Sequence, residues 1–168
     1  MDVILRTDIT EQDALKIIEW LNNENITKYL NEDANSPLLL KKVIEENRGD
    51  LLTYYLNQRG RFFLIETSSE ELVGFINLFT IISNKEYEIV VVIGDERNWN
   101  KKYGKKALEK MIKEVFFSWR IKKLNAKIHV DNTRSVSLFE FLGFEKIKTE
   151  NFYHHYVIDE NKIFSKLQ

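Results

Sequence analysis

The spacing of hydrophobic positions changes along this chain. Val3 to Arg6 reads as a short strand, after which Leu15, Ile18 and Leu21 recur at helical spacing behind Thr10 and Asp13, which are placed as a capping pair. A second helical piece is expected over Ile26 to Leu30. Ser36-Pro37 sets a cap and a proline at the start of another helix, with an interruption near Gly49. From Arg61 onward strands are predicted over Arg61 to Thr67, Leu72 to Ile82 and Tyr87 to Ile93, divided by polar turns at Ser68 to Glu71 and at Asn84-Lys85. The third of these is apolar on both faces from Ile89 to Ile93, which places it centrally in a sheet. Ala107, Leu108, Met111, Ile112, Val115, Phe116 and Trp119 then form a stripe of period 3.6, so a long helix is predicted from Tyr103 to Trp119. Leu124 to Val130 alternates as a strand, and Asn132 or Thr133 starts a short helix. Gly143 ends that helix where a left-handed cap is usual. Phe144 to Lys148 and Phe152 to Ile158 complete the sheet. The order describes a mixed α/β sandwich, in which ligands sit beyond the carboxyl ends of central strands. The turn after Ile93 is such a place.

That turn is unusual in its charge. Lys101, Lys102, Lys105 and Lys106 crowd the start of the long helix, where the macrodipole is positive and each lysine is unfavourable by roughly 0.3–1 kcal/mol if only solvent surrounds it. A docked anion reverses the sign, and a strand–turn–helix junction already offers backbone N–H groups to phosphate. The plainer alternative, a solvated polar face, stays open at this point.

Composition narrows the chemistry. The chain has 168 residues, one domain's worth, with 43% hydrophobic and 30% charged residues, as an ordinary globular protein has. A net charge of −1 argues against a nucleic-acid binder and makes the lysine cluster a local property. There is no cysteine, which removes disulfides, thiolate metal sites and cysteine nucleophiles together. MDVILRTDIT has no apolar signal core, and no apolar run approaches membrane-spanning length, so no membrane partner is expected and the cytoplasm is the expected location. A phosphate-loop nucleotidase is excluded by the lack of any G-x-x-x-x-G-K-[ST].

From Glu88 to Leu108 the chain reads EIVVVIGDERNWNKKYGKKAL. Asn132, Ser135, Phe139 and Gly143-Phe144 follow at the spacing of a second signature, and Trp20 to Asn22 reads W-L-N at the end of the first helix. On these residues the chain resembles the GNAT superfamily of acyl-CoA-dependent N-acetyltransferases, above all the branch with the ribosomal-protein and polyamine acetyltransferases. The resemblance reaches to about Phe144. It implies a single domain over residues 1–168 with a mostly antiparallel sheet, splayed parallel strands at its centre and flanking helices. It implies acetyl-CoA as cofactor, its pyrophosphate wrapped by the turn before the long helix, through Asn100, Lys101, Lys102, Tyr103, Gly104 and Lys105. Main-chain groups near Val91, Val92 and Ile93 are implied to hold the pantetheine arm, one N–H polarising the thioester carbonyl. Asn132, with Ser135 and Phe139 on the same helix, is implied to face the cofactor, although Asn132 reads equally well as a plain helix cap.

The chain departs from the family pattern in two ways. Of R/Q-x-x-G-x-G/A it keeps only Gly104: Asn100 tolerates positive φ, whereas Lys102 at a glycine position is strained if positive φ is needed. The tyrosine that commonly protonates the leaving thiolate is replaced by Phe139, which cannot donate a proton.

Direct transfer needs a neutral amine, and Glu88, on the strand beside the expected thioester, is the candidate base, unless it is merely solvated at a strand end. Tyr87 and Glu86 adjoin it, and His129 on the neighbouring strand reads as a packing residue before a catalytic one. Glu19, Glu24, Glu32 and Asp33 make the acceptor end acidic, which suits a small-molecule or peptide amine such as a polyamine, an aminoglycoside or a protein N-terminus. A homodimer stays open. The competing reading is a non-catalytic acyl-CoA-binding or regulatory module that kept the fold.

Overall fold

The computed structural model describes residues 2–30, 36–46 and 48–165. Among them seven strands form one mixed sheet in the order β1-β2-β3-β4-β5-β7-β6. They are β1 Val3–Arg6, β2 Gly60–Thr67, β3 Leu72–Ile82, β4 Glu86–Ile93, β5 Lys123–His129, β6 Glu145–Glu150 and β7 Tyr153–Asp159. β4 lies at the centre, as its two apolar faces predict. β1 with β2, β5 with β7 and β6 with β7 pair antiparallel, and β4 with β5 pairs parallel. The parallel ladder runs only from Glu86↔Lys123 to Glu88↔Asn125, whereas β5 stays paired with β7 as far as His129↔Tyr153. The helices are α1 Glu11–Leu21, α2 Glu24–Thr27, α3 Ser36–Glu45, α4 Leu52–Leu56, α5 Tyr103–Lys113, α6 Thr133–Phe141 and α7 Glu160–Ser165. The chain divides into two compact units, Met1–Asn77 with Val91–Ala107, and Leu78–Val90 with Leu108–Gln168.

In the first unit the predicted capping pair is a reciprocal box: Thr10 Oγ1 accepts from Asp13 N at 3.2 Å and Asp13 Oδ2 from Thr10 N at 2.8 Å. Arg6 of β1 grips the same carboxylate with both guanidinium ends at 2.9 Å and reaches Glu66 of β2 with Nε at 2.6 Å. Burial pulls the Asp13 carboxyl upward, but the Arg6 and Thr10 hydrogen bonds outweigh it and hold the group below its ordinary value. Behind this box α1 buries Ala14, Ile17 and Trp20. The second helix occupies Glu24–Thr27 and not Ile26 to Leu30, because Asn23 Oδ1 caps Asn25 N at 3.0 Å and starts it earlier. The interruption near Gly49 is a short 3-10 turn, Gly49–Leu51, leading directly into α4. Leu40, Leu52, Leu64, Ile65, Val73 and Ile76 are among this unit's core, with Phe62 stacked on Phe75 at 5.0 Å between ring centroids.

In the second unit the predicted helix does not run evenly to Trp119. After Lys113 it widens into a π turn, Glu114–Ser118, closed by Trp119 N–H on Glu114 O at 3.1 Å, with Val115 and Phe116 both buried. Asn132 caps α6, and Gly143 takes φ 97°, the left-handed conformation predicted for it. β6 is exposed along its length, carries the charged Glu145, Lys146, Lys148 and Glu150 and shifts register between Lys146 and Lys148, which are devices that protect a sheet edge. The terminal α7 has no counterpart in the predicted elements. Its local signal is Asp159, whose Oδ1 caps Lys162 N at 2.9 Å.

Candidate functional site

In the first unit β4 runs out into a loop that the backbone itself confines. Gly94 N–H donates to Val73 O at 2.9 Å. A β-carbon on Gly74 would stand 2.1 Å from Val92 O, and one on Gly94 would stand 1.9 Å from Cδ2 of Trp20, so both positions require glycine. Asp95 then caps a short turn, Glu96–Asn98, accepting from Arg97 N at 2.9 Å and pairing with Arg97 Nη2 at 2.6 Å. These Arg97 hydrogen bonds lower the Asp95 carboxyl to about 2. Glu96 accepts from Asn25 Nδ2 at 2.8 Å, and Trp99 Nε1 donates to Ile93 O at 3.1 Å, which ties the loop back to α2 and to the end of β4.

The next residues carry the backbone feature that the sequence left conditional. Asn100 takes φ 63° and Lys102 φ 66°. Asparagine tolerates this region, but lysine there costs about 1–2 kcal/mol. Lys102 therefore adopts a left-handed conformation that favours glycine. Lys101 Nζ donates to Asn98 Oδ1 at 3.1 Å, and Asn98 is buried, so this ammonium is positioned by the loop. Lys101 and Lys102 are exposed, Lys105 and Lys106 half-buried, and Tyr103 and Gly104 buried, at the positive end of α5. A turn with positive-φ residues, a helix start and ammonium groups has the chemistry of an anion cradle. Val91 and Ile93 are half-buried and Val92 is buried just ahead of it.

In the second unit Glu88 is half-buried and stands in register with Asn125 at the last pair of the parallel ladder. Asn125 Nδ2 donates to Glu86 Oε1 at 2.9 Å and to Tyr87 O at 3.2 Å, a side-chain rivet where that ladder ends. Asn132 Oδ1 accepts from Ser135 N at 3.3 Å, so the capping alternative is realised, whatever else Asn132 touches. Phe139 is 3% exposed, its ring edge-on to Phe144 at 4.9 Å. Tyr156 OH donates to Glu140 Oε1 at 2.7 Å, and burial, then this hydrogen bond, pushes its phenol up to about 12. His129 packs edge-on to Tyr153 at 5.3 Å and accepts from Asp131 N at 3.2 Å.

The predicted residues thus fall into two groups. Val91, Val92, Ile93, Asn100, Lys101, Lys102, Tyr103, Gly104 and Lys105 lie in the first unit, and Glu88, Asn132, Ser135 and Phe139 in the second. Gly74, Asn125 and Tyr156 escaped the sequence reading. A glycine inside a strand and an asparagine between Leu124 and Ala126 were the available signals, since both residues are poor strand formers. Tyr156 had none, because its partner lies on another element. Among the described residues no three of His, Cys, Asp and Glu converge to hold a metal, and no helix is long and apolar enough to cross a membrane.

Residues 2–145 match the family model described as an acetyltransferase (GNAT) domain. An uncharacterised N-acetyltransferase, p20 of Bacillus licheniformis, is 26% identical over 137 residues, which are 80% of this chain and 75% of that protein. The uncharacterised protein MJ1062 of Methanocaldococcus jannaschii is 29% identical over 154 residues, 87% of this chain but 28% of that longer protein. Among solved structures, a spermidine N-acetyltransferase from Vibrio cholerae in complex with CoA and spermine superposes with a TM-score of 0.78 at 20% identity, covering 97% of this chain and 98% of that one. A GNAT-family acetyltransferase from Bacillus anthracis superposes with a TM-score of 0.75 at 19% identity over 96% of each chain.

Proposed function

This chain belongs to the GNAT acetyltransferase family and is an N-acetyltransferase, and from that premise we propose that it carries an acetyl group from acetyl-CoA to a primary amine by direct attack of the amine on the thioester. The observation that carries the cofactor reading is the turn at Asn100–Gly104, where Asn100 and Lys102 hold positive φ at the start of a lysine-rich helix. Its amides and the Lys101, Lys102 and Lys105 ammonium groups fit a pyrophosphate. Acetyl-CoA supplies an activated acyl group on a thiol leaving group.

The chain's own residues supply the rest. Backbone groups of Val91, Val92 and Ile93 hold the arm that brings the thioester in, and Asn132, Ser135 and Phe139 of α6 are further cofactor-binding residues. Glu88 takes the proton from the amine, directly or through water. Phe139 cannot donate, and the Tyr156 hydroxyl is engaged by Glu140 and raised to about 12, so the thiolate takes its proton from water or a tyrosine elsewhere, or leaves unassisted. That departure is tolerable because an alkyl thiol ionises near ~8.5.

The acceptor is a small cationic amine. A spermidine N-acetyltransferase of the same fold and the exposed Glu24 support this, while Glu19 is partly neutralised by Lys16 at 2.9 Å and Glu32 and Asp33 lie outside the described residues. A peptide amine is the other acceptor of this class. One acyltransferase domain over residues 1–168, acting in the cytoplasm, completes the reading. The test is thiol release from acetyl-CoA with a panel of polyamines, aminoglycosides and peptides. Release above the buffer rate with at least one amine is expected. Saturable binding of acetyl-CoA with no release for any amine would overturn the proposal.

A further inference from the structure

The chain has three tryptophans, hence three indole donors, and in the fold they are treated differently. Trp99 Nε1 donates to Ile93 O and Trp119 Nε1 to Glu114 Oε1, each at 3.1 Å. Trp20, 2% exposed, has a buried Nε1 with no hydrogen-bond partner. Native interiors leave very few such donors unpaired, because a buried N–H without an acceptor loses its bonds to water and gains nothing. The indole N–H cannot avoid this by accepting, since it is a donor only.

Its place in the fold says what it could serve. Trp20 closes the buried stripe of α1, and its ring is pressed on Gly94, the first residue after β4. A β-carbon on Gly94 would stand 1.9 Å from Cδ2, 2.0 Å from Cε2 and 2.5 Å from Cε3 of that ring. Cε2 carries Nε1, so the unpaired donor is one bond from an atom held against the backbone that follows Val91–Ile93. The neighbouring main-chain groups already have partners. Gly94 N–H is on Val73 O at 2.9 Å, and Ile93 O takes the Trp99 indole.

We infer that Trp20 is a binding residue for the acyl donor, its Nε1–H donating to a carbonyl oxygen of the acyl-CoA where the arm passes the end of β4. This rests on the acetyl-CoA reading above. A cationic amine has no lone pair to offer this donor, and a neutral amine that accepted from it would have its attacking lone pair blocked. A carbonyl oxygen gains from the bond without such a conflict. Two carbonyl sources exist, the amides of the arm, present in coenzyme A itself, and the thioester, present only in acetyl-CoA.

The experiment is indole N–H spectroscopy of the ¹⁵N-labelled full chain, titrated with coenzyme A and separately with acetyl-CoA, with calorimetry in parallel. Trp20→Phe assigns the signal. It keeps a ring near Gly94 and removes an unsatisfied group, but the smaller ring leaves a cavity in the core, so the free variant should melt somewhat lower than wild type whatever the indole binds. If that variant does not fold, Trp99→Phe and Trp119→Phe assign the signal by elimination. The expected result is a Trp20 proton upfield of the other two in the free protein that moves downfield on binding, and a Kd roughly 3- to 10-fold weaker in Trp20→Phe. A move with both ligands identifies an arm amide, and a move with acetyl-CoA alone identifies the thioester. Heat of binding with an unmoved Trp20 signal, or an unchanged Kd in the variant, overturns the inference and leaves the cofactor reading standing. A downfield signal already in the free protein assigns the donor to a buried water and also overturns it. Absence of binding up to millimolar acetyl-CoA overturns both.

Discussion

Gly74 of β3 lies so close to Val92 of β4 that a methyl group on it would stand 2.1 Å from the Val92 carbonyl oxygen. Real β-carbons do not approach carbonyls so closely, and the obstacle is backbone, which cannot rotate away. Gly74→Ala should therefore push β4 out of place just before the loop that carries the lysines. A loss of about 1–3 kcal/mol is expected, the usual cost of overpacking. Urea denaturation checks it: an unchanged midpoint would show that the strand yields freely.

Lys102 holds φ 66° without being glycine. Lys102→Gly removes a left-handed penalty of about 1–2 kcal/mol and adds roughly 0.5–1 kcal/mol of unfolded-chain entropy, so a net gain of up to about 1.5 kcal/mol is expected. Lys102→Ala, which loses the same charge but keeps the β-carbon, should show no such gain. Equal melting temperatures for the two variants would locate the effect in charge and not in backbone strain.

Glu88→Gln tests the base. The substitution keeps the side chain's size and leaves the backbone pairing at the last rung of the β4–β5 ladder in place, so acetyl-CoA binding should persist. Turnover with an amine should fall by about 10²–10⁴-fold, most clearly below pH 8, where an amine with pKa near ~10 is almost wholly protonated. A loss under threefold removes Glu88 from the mechanism.

Phe139→Tyr places a hydroxyl where the family commonly has one. Phe139 is buried edge-on to Phe144, so an unpaired hydroxyl there should cost about 1–3 kcal/mol of stability. Thiol release in the presence of a working amine should nevertheless stay equal or rise. A tenfold fall in release at a temperature where the variant is folded would mean that this ring does not face the departing sulfur.

The Tyr156 phenol is raised to about 12, by burial first and then by its bond to Glu140. A raised folded value means that the neutral hydroxyl contributes stability that is whole below the unfolded value near ~10 and is lost as pH climbs through 12. Tyr156→Phe should lower stability at neutral pH and flatten the decline between pH 10 and 12. Denaturation midpoints across that range measure it, and parallel curves for the two proteins would refute the coupling.

Much of the fold could be read along the chain because it rests on local periodicity. The strands were legible within a residue or two, as were the start of α5, the Thr10–Asp13 box and the Gly143 cap, which rest on local pattern. The π turn after Lys113 was not, because it depends on Val115 and Phe116 both finding buried positions. α2 was misplaced where the Asn23 cap competes with a weak apolar pattern. In the candidate site, the lysine cluster and its location after a central strand were visible in order and spacing alone.

What residue order by itself determined, then, is the sequence of elements, the central place of β4 and the gathering of charge at the start of α5, since hydrophobic period and capping chemistry act over a few residues. Only the tertiary structure decided that Lys102 takes a glycine's backbone, that Gly74 and Gly94 permit contacts from β4 and α1, that Tyr156 is bound by Glu140 and that the Trp20 indole is left without an acceptor. These depend on which atoms of distant segments meet, and steric exclusion and hydrogen-bond completion act on atoms in space, whatever their separation along the chain.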